Sequence, residues 1–250
     1  MKCSSRYEAD AKTTKTLIVI GQFNCRVNIS VAMLLLFSCQ VLAQKYPPPF
    51  PRDGVKNVQE SDCFVIWDVT WENGKSTGIH ENLLDQVAVW LAEGAIKVTR
   101  PDGTWSIEQE RIGSVRFEGK GTVDAEEGVS DKPSHAIVFQ LKEVVPTKWP
   151  ITEGIPGQYP RAGAVKLFET DRITVWDETR RPGVRSPLHL HYNKVAGVWL
   201  EGGRIRSISE GATEMLTKKR GEVLIGRPRK APHTEETVEG VPRIIAIEFK

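Results

Sequence analysis

The stretch GVRSPLHLHYNKVAGVWLEGG, residues 183–203, carries more information about fold and function than any other part of the sequence. It places His189 and His191 two residues apart, and a related stretch, GKSTGIHENLLDQVAVWLAEG at 74–94, lies 109 positions earlier. Laid on 160–203 without a gap, residues 51–94 match at fourteen positions, and with one residue deleted near Pro101 the match continues to Lys142/Lys250. A repeat of this length indicates two whole domains rather than small solenoid units.

Both copies have the pattern of short β-strands. FVIWDVTW, QVAVWL and AIKVT in the first copy, and ITVWDET, VAGVWL and GRIRSI in the second, are rich in β-branched and aromatic residues. Gly, Asp or Asn bounds each of them, as is typical of strands that are joined by tight turns. No amphipathic helical run follows residue 51, so we predict an all-β fold of the sandwich or barrel type.

Four tryptophans recur at equivalent positions of the two copies, as the pairs Trp67/Trp176 and Trp90/Trp199. We expect all four to pack in the cores of the two domains. An aromatic wall of a binding site is the alternative.

The segment 1–43 is interpreted as a secretory signal peptide. Its lysines and arginines outnumber its acidic residues, and its apolar run around VAMLLLF ends at Val41-Leu42-Ala43, a small-residue cleavage pattern. The predicted location is therefore periplasmic or secreted, with no membrane contact after cleavage; an uncleaved anchor is the alternative. Cys63 is the one cysteine outside this segment, so the mature chain cannot form an internal disulfide, which a bacterial periplasm tolerates.

The predicted order of segments after cleavage follows from composition and from the repeat. A proline-rich arm at 44–50 leads into a first domain at 51–142, a Pro- and Gly-containing linker covers 143–159, and a second domain covers 160–250. The formal net charge of +2 argues against a nucleic-acid binder.

The two parts carry opposite charge: residues 44–159 hold 12 Lys and Arg against 18 Asp and Glu, whereas 160–250 hold 17 against 12. Either the two halves dock on each other, or the basic residues of the second half surround an anionic ligand. The residues considered for the second role are Arg204, Arg206, Arg227, Arg229 and Lys230.

Residues i and i+2 of a strand point to the same face, so His189 and His191 present two imidazoles side by side. His233 follows beyond the next hairpins. Three neutral imidazoles that converge in a barrel suit Fe, Zn, Mn, Ni or Cu about equally. The alternative is that His189 and His191 lie on an exposed strand and that His233 is unrelated to them.

These residues resemble the first motif of the cupin superfamily, which is Gly, five residues, His-x-His, three or four residues, Glu, six residues, Gly. Gly183, His189, His191 and Gly203 fall on it in register, while Val195 or Ala196 stands where the glutamate is expected. Gly221 and His233 approximate the second motif. The resemblance covers both repeats, as in the two-domain bicupins, and implies two tandem jelly-roll barrels with one divalent transition metal on His189, His191 and His233.

The first copy departs further from that pattern. It keeps His80, but Asn82 replaces the second histidine and Val87 stands at the glutamate position. The position of His233 aligns with Ala125, or with Asp124 if the extra residue is discounted. We expect this copy to lack a metal and His80 to be a hydrogen-bonded core residue.

The function predicted from these features is a metal-dependent enzyme of oxygenase or isomerase type that acts on a small organic anion. Tyr192, Arg206 and Glu235 are candidate acid, base or substrate-orienting residues near the metal. A non-catalytic binding protein for a small ligand and a structural bicupin with vestigial histidines are the alternatives, and homo-oligomer formation is left open.

Overall fold

A computed structural model describes residues 45–143, 150–226 and 231–250. The predicted signal segment 1–43 and the basic residues Arg227, Arg229 and Lys230 lie outside these ranges. In the described ranges the regular structure consists of strands, and no helix is long and apolar enough to cross a membrane. Below, "first half" denotes residues 45–143 and "second half" residues 150–250.

The first half contains nine strands in two sheets. The larger sheet has the order β1-β2-β9-β4-β7 and the smaller one the order β3-β8-β5-β6. The strands are β1 Val55–Glu60, β2 Phe64–Trp71, β3 His80–Glu81, β4 Asp85–Ala92, β5 Gly94–Thr99, β6 Trp105–Glu110, β7 Val115–Glu118, β8 Val123–Gly128 and β9 Ser134–Leu141.

The second half contains six strands, two of which are long. Their order is β10-β11-β15-β12-β13, with β14 also paired to β12. The strands are β10 Ala164–Glu169, β11 Ile173–Thr179, β12 Val195–Ser209, β13 Ala212–Lys218, β14 Val223–Gly226 and β15 His233–Phe249. Each pairing between described strands stays within its own half.

Strand β4 shows why the central strands read as continuous apolar runs. Val87 and Val89 point to a core that the two halves share, whereas Ala88 and Trp90 point to the interior of the first half. Alternate residues of a strand point to opposite faces, so a strand that is buried on both faces must be apolar at successive positions.

The shared core lies between the large sheets of the two halves. It joins residues of the first half such as Ile66 and Phe139 to residues of the second half such as Val175 and Ile247. The rings of Phe64 and Phe249 meet across it, with centroids 4.8 Å apart. Residues Lys45–Lys250 accordingly form a single compact unit.

Basic residues of the second half contact the first half around this core. Arg172 pairs with Asp85 at 2.7 Å and donates to the carbonyl of Lys142, and Lys194 pairs with Asp62. Arg220 donates to the carbonyl of Leu91. The opposite net charges of the halves are therefore used in part for docking, as one of the two sequence interpretations requires.

The expectation for the four tryptophans is correct for Trp90 and Trp199, which are buried. It is correct only in part for Trp67 and Trp176, which pack against the core clusters of their halves but are half-buried. Trp67 stacks on Phe50 and Trp176 stacks on Tyr159, at the start of each half. Each indole N–H reaches a side chain of the neighbouring strand, Gln140 or Glu248 respectively, and this polar end keeps the ring near the surface.

Candidate metal centre

Two of the predicted ligands, His189 and His233, lie opposite each other on neighbouring chain segments. The N–H of His189 donates to the carbonyl of His233 at 3.0 Å, and the N–H of His233 donates to the carbonyl of His189 at 3.1 Å. This antiparallel pair places both side chains on the same face.

The glycines that bracket the motif allow the chain to reach this position. Gly183 has φ of +73°, in the left-handed region that side chains disfavour. At Gly203 a Cβ atom would lie 2.6 Å from the carbonyl oxygen of Glu239, so only glycine fits there.

His191 completes a group of three imidazoles. Ring centroids are 5.3 Å apart for His189 and His191, 4.3 Å for His189 and His233, and 4.8 Å for His191 and His233. One nitrogen from each ring lies within 4.8 Å of the others. His189 and His233 are buried, and His191 is half-buried.

The hydrogen bonds of His189 indicate which of its nitrogens faces the group. Nδ1 lies 2.9 Å from the carbonyl oxygen of Pro187, an acceptor, and so carries the proton. Nε2 is buried and has no hydrogen-bond partner among the described residues. Burial lowers the pKa of this imidazole, so the ring is neutral and Nε2 offers a lone pair.

These features fit a divalent transition metal. A metal-bound histidine usually donates its other N–H to a carbonyl or carboxylate, as His189 does to Pro187. Nitrogens about 2.1 Å from one ion lie roughly 3.4 Å apart in tetrahedral geometry, so the three rings need only move closer together by about 1 Å. The three-histidine group can therefore hold a divalent ion.

Comparisons with known proteins bear on the fold. No protein-family model matches the sequence, and no curated protein matches it. Among solved structures, oxalate decarboxylase from Lactobacillus farciminis in a formate complex gives a TM-score of 0.54 at 14% identity, over 80% of this chain and 82% of that chain. Bacillus subtilis oxalate decarboxylase, described with Mn(II) centres, gives 0.51 at 14% identity, over 78% and 72%. A cupin 2 conserved barrel domain protein from Leptotrichia buccalis gives 0.50 at 13% identity, over 78% and 88%.

The chain has a cupin fold. The predicted all-β jelly-roll class is thereby confirmed, and identities this low show the fold alone. The division into two barrels with the boundaries given above stays a prediction.

A largely buried network of four charged side chains lies beside the histidines. Arg161 donates to Glu178 at 2.7 Å and to Glu235 at 2.9 Å. Arg180 contacts the same two carboxylates at 2.7 and 3.0 Å, and the hydroxyl of Tyr159 donates to Glu178. Two positive and two negative charges make the network neutral overall.

Glu235 is the predicted acid or base whose contacts lead to the histidines, since it follows His233 by two residues and accepts at its carbonyl from the N–H of Ser186. Its N–H donates to Ser186 Oγ, and Ser186 lies 3.4 Å from Nδ1 of His189. Although burial acts to raise it, the Arg180 and Arg161 guanidiniums hold the pKa of Glu235 well below its usual range. The group is a fixed carboxylate and is not a proton donor near neutral pH.

The other two candidates, Tyr192 and Arg206, contact groups away from the histidines. The Tyr192 hydroxyl donates to the carbonyl of Ile155 at 2.9 Å. Arg206 pairs with Glu236 at 2.8 Å, and Arg204 pairs with Glu239 at 3.3 Å. Ile205, between the two arginines, is the buried residue, so both arginines share the outer face of β12.

Arg161, Glu178 and Arg180 were not among the predicted site residues. Glu178 is the penultimate residue of the strand ITVWDET and is buried. An acidic residue on the same face as Thr174 and Trp176 of a largely apolar strand is the signal that could have identified it. Its arginine partners come from other segments, which the local sequence does not reveal.

The equivalent place in the first half has a different composition. His80 is buried, and its backbone partner across the strands is Asp124, with Nε2 of His80 3.5 Å from Oδ1 of Asp124. Asn82 donates to Glu118, which also contacts Arg116. The backbone thus selects Asp124 over Ala125 as the counterpart of His233, and His80 is hydrogen-bonded through Nδ1 to its own loop, as expected.

Burial first, and then the carboxylates of Glu118 and Glu126, raise the pKa of Asp124 to about 7. Since the unfolded carboxyl titrates near 3.8, the folded state binds this proton more tightly, and folding stability falls as pH rises from about 4 to 7.

Asp124→Asn removes this titration. Its gain in free energy of unfolding over the wild type should grow from pH 4 to 7 and level off above, reaching at most about 4 kcal/mol. Urea unfolding at stepped pH measures it. Asp102→Asn, at an exposed carboxyl whose pKa is lowered by Thr104, should show no such gain; a gain for Asp124→Asn that is independent of pH would contradict the assignment.

Proposed function

We propose that the chain is an exported metal-binding bicupin, and that one divalent transition metal is held by His189, His191 and His233 in its second half. The observation that carries the proposal is the His189 imidazole, whose Nδ1 is bound to Pro187 and whose buried Nε2 points into a group of three imidazoles. The composition of residues 1–43 supports export, and the matching sequences of the two halves support the division into two cupin domains.

The residues around the histidines support an enzyme that acts on a small organic anion. Three neutral ligands leave the ion's charge uncompensated by the protein, so an anionic oxygen donor is favoured as a further ligand. Val195 and Ala196, at the family's glutamate position, are buried and apolar. When bound, the metal would supply Lewis-acid or dioxygen chemistry.

The chain's own charged network would act on the site mainly by positioning. Because Arg161 and Arg180 are matched by Glu178 and Glu235, the network adds no net charge that would attract an anion. It supports the segment 186–189 instead, because the Ser186 N–H donates to the carbonyl of Glu235 and the Glu235 N–H donates to Ser186 Oγ.

Two of the structures with the same fold are named as oxalate decarboxylases, one of them with Mn(II) centres. A small carboxylate is therefore the first substrate class to test, and diketones are the second. Oxidative cleavage is the first reaction, followed by isomerisation.

The test measures turnover and oxygen uptake by the metal-loaded full chain with a panel of small carboxylates, oxalate included, and diketones. We expect one class to change the spectrum of the metal and to be consumed, and the metal-free His189→Ala variant to be inactive. If no anion perturbs the metal at millimolar concentration, the enzyme proposal fails and a structural bicupin becomes the better account. A spectral change without turnover would support a non-catalytic ligand-binding protein.

A further inference from the structure

Each half contains a cavity between the start of its first strand pair and the loop that leads to His80 or His189. In the second half this cavity measures about 280 Å³ and is lined by Arg161, Glu178 and Arg180, among others. In the first half it measures about 480 Å³ and is lined by Arg52 and Trp71, the equivalents of Arg161 and Arg180, and by Ser76, among others.

The two cavities differ in how their arginine is paired. Arg161 contacts both Glu178 and Glu235. At the position of Glu178 the first half has Val69, which is fully buried and apolar. The backbone counterpart of Glu235 is Glu126, since Thr77 and Ser186 each donate to the carbonyl at that position.

Glu126 is bound to other partners than Arg52. One of its oxygens accepts from the Trp71 indole at 2.9 Å, and the other contacts Arg116. Across the described residues, no carboxylate forms an ion pair with Arg52. Its guanidinium lies against aromatic rings instead, 5.2 Å from the ring centre of Phe50 and 6.0 Å from that of Trp71.

Arg52 is therefore a half-buried cation that no carboxylate of the described residues contacts as an ion pair. Desolvation by burial lowers its pKa, with Glu126 opposing this effect from a distance. The remaining charges of the cavity lie at the rim, where Lys75 pairs with Glu72 at 2.6 Å and Asp53 is exposed.

Ser76 adds a donor to the lining of the same cavity. Its Oγ accepts from the N–H of Gly78 at 3.2 Å, which leaves the hydroxyl proton available to a ligand. A guanidinium and a hydroxyl are donors that suit the oxygens of a carboxylate.

We propose that the cavity at Arg52 binds a small organic carboxylate, which pairs with Arg52 as Glu178 and Glu235 pair with Arg161 in the second half. This site is separate from the three histidines and needs no metal. The second half shows what such an arginine binds, because there the equivalent residue, Arg161, pairs with two carboxylates of the protein.

The test uses the full chain with ¹⁵N-labelled tryptophan and follows the indole N–H of Trp71, assigned with a Trp71→Phe variant. Acetate, titrated into the millimolar range at constant ionic strength, should shift this signal with saturation. Acetamide, which has the same shape without the charge, should leave it unmoved. The indole signals of Trp176 and Trp199 in the second half should not follow the titration.

Two variants test the role of the arginine. Arg52→Gln should weaken acetate binding by about tenfold or more, because a charge-assisted bond is lost. Val69→Glu should also weaken acetate binding, because it places a carboxylate at the position of Glu178, where it can pair with Arg52. Lys75→Gln, at the exposed rim, should bind within about twofold of wild type.

An unshifted Trp71 signal in folded protein would overturn the proposal, as would equal binding of acetate and acetamide or wild-type affinity in Arg52→Gln. If Val69→Glu does not fold, Arg52→Gln alone decides. Metal content should be unchanged in Arg52→Gln, so that this result is independent of the metal proposal.

Discussion

Replacing His191 by alanine should release the metal from the second half. With two imidazoles left and no carboxylate at the position of Val195 or Ala196, the remaining ligands are too few for a stable site. Wild-type protein, purified without chelators, should contain one divalent metal per chain by elemental mass spectrometry. His189→Ala and His233→Ala should have the same effect as His191→Ala.

His80→Ala is the matched control for these variants. His80 occupies the same place in the first half and has the same kind of bond from Nδ1 to its own loop, but its Nε2 lies 3.5 Å from Asp124 rather than beside two imidazoles. The His80→Ala protein should therefore keep its metal. Two metals per chain, or metal that survives the combined His191→Ala and His233→Ala changes, would contradict the assignment.

Glu178→Ala should lower the free energy of unfolding by about 3–5 kcal/mol. The change leaves Arg161 and Arg180 buried with only Glu235 between them, and an uncompensated buried charge is the costly outcome of breaking such a network. Urea unfolding followed by tryptophan fluorescence measures this loss.

Asp177→Ala is the control at the adjacent position. Its carboxylate lies on the other face of β11 and pairs with the partly exposed Arg243, so the expected loss is below about 1 kcal/mol. Equal losses for Asp177→Ala and Glu178→Ala would show that the buried network does not have the role given to it here.

The local sequence determined most of the strands. FVIWDVTW is β2 residue for residue, and QVAVWL lies within β4, because runs of β-branched and aromatic residues between turn residues have few other stable structures. VAGVWL and GRIRSI, read as two strands, form one continuous strand, β12. The glycines between them were taken as a boundary, but Gly203 is required by the close approach of β15 rather than by a turn.

The sequence also indicated the three-histidine group, because the His-x-His spacing pairs His189 with His191 and the resemblance to cupins adds His233. The structure brings the three together, although His189 lies in an isolated bridge rather than in a strand. The pairing of each arginine with a particular carboxylate was decided by the tertiary structure alone. Arg52 and Arg161 are equivalent in sequence, yet Arg161 meets two carboxylates, whereas Arg52 meets aromatic rings and a cavity. One cause is that β2 has Val69 at the position where β11 has Glu178. The other is Arg116, which pairs with Glu126, so that this carboxylate does not pair with Arg52. Such pairings depend on residues that are distant along the chain, so they exist only once the sheets have formed.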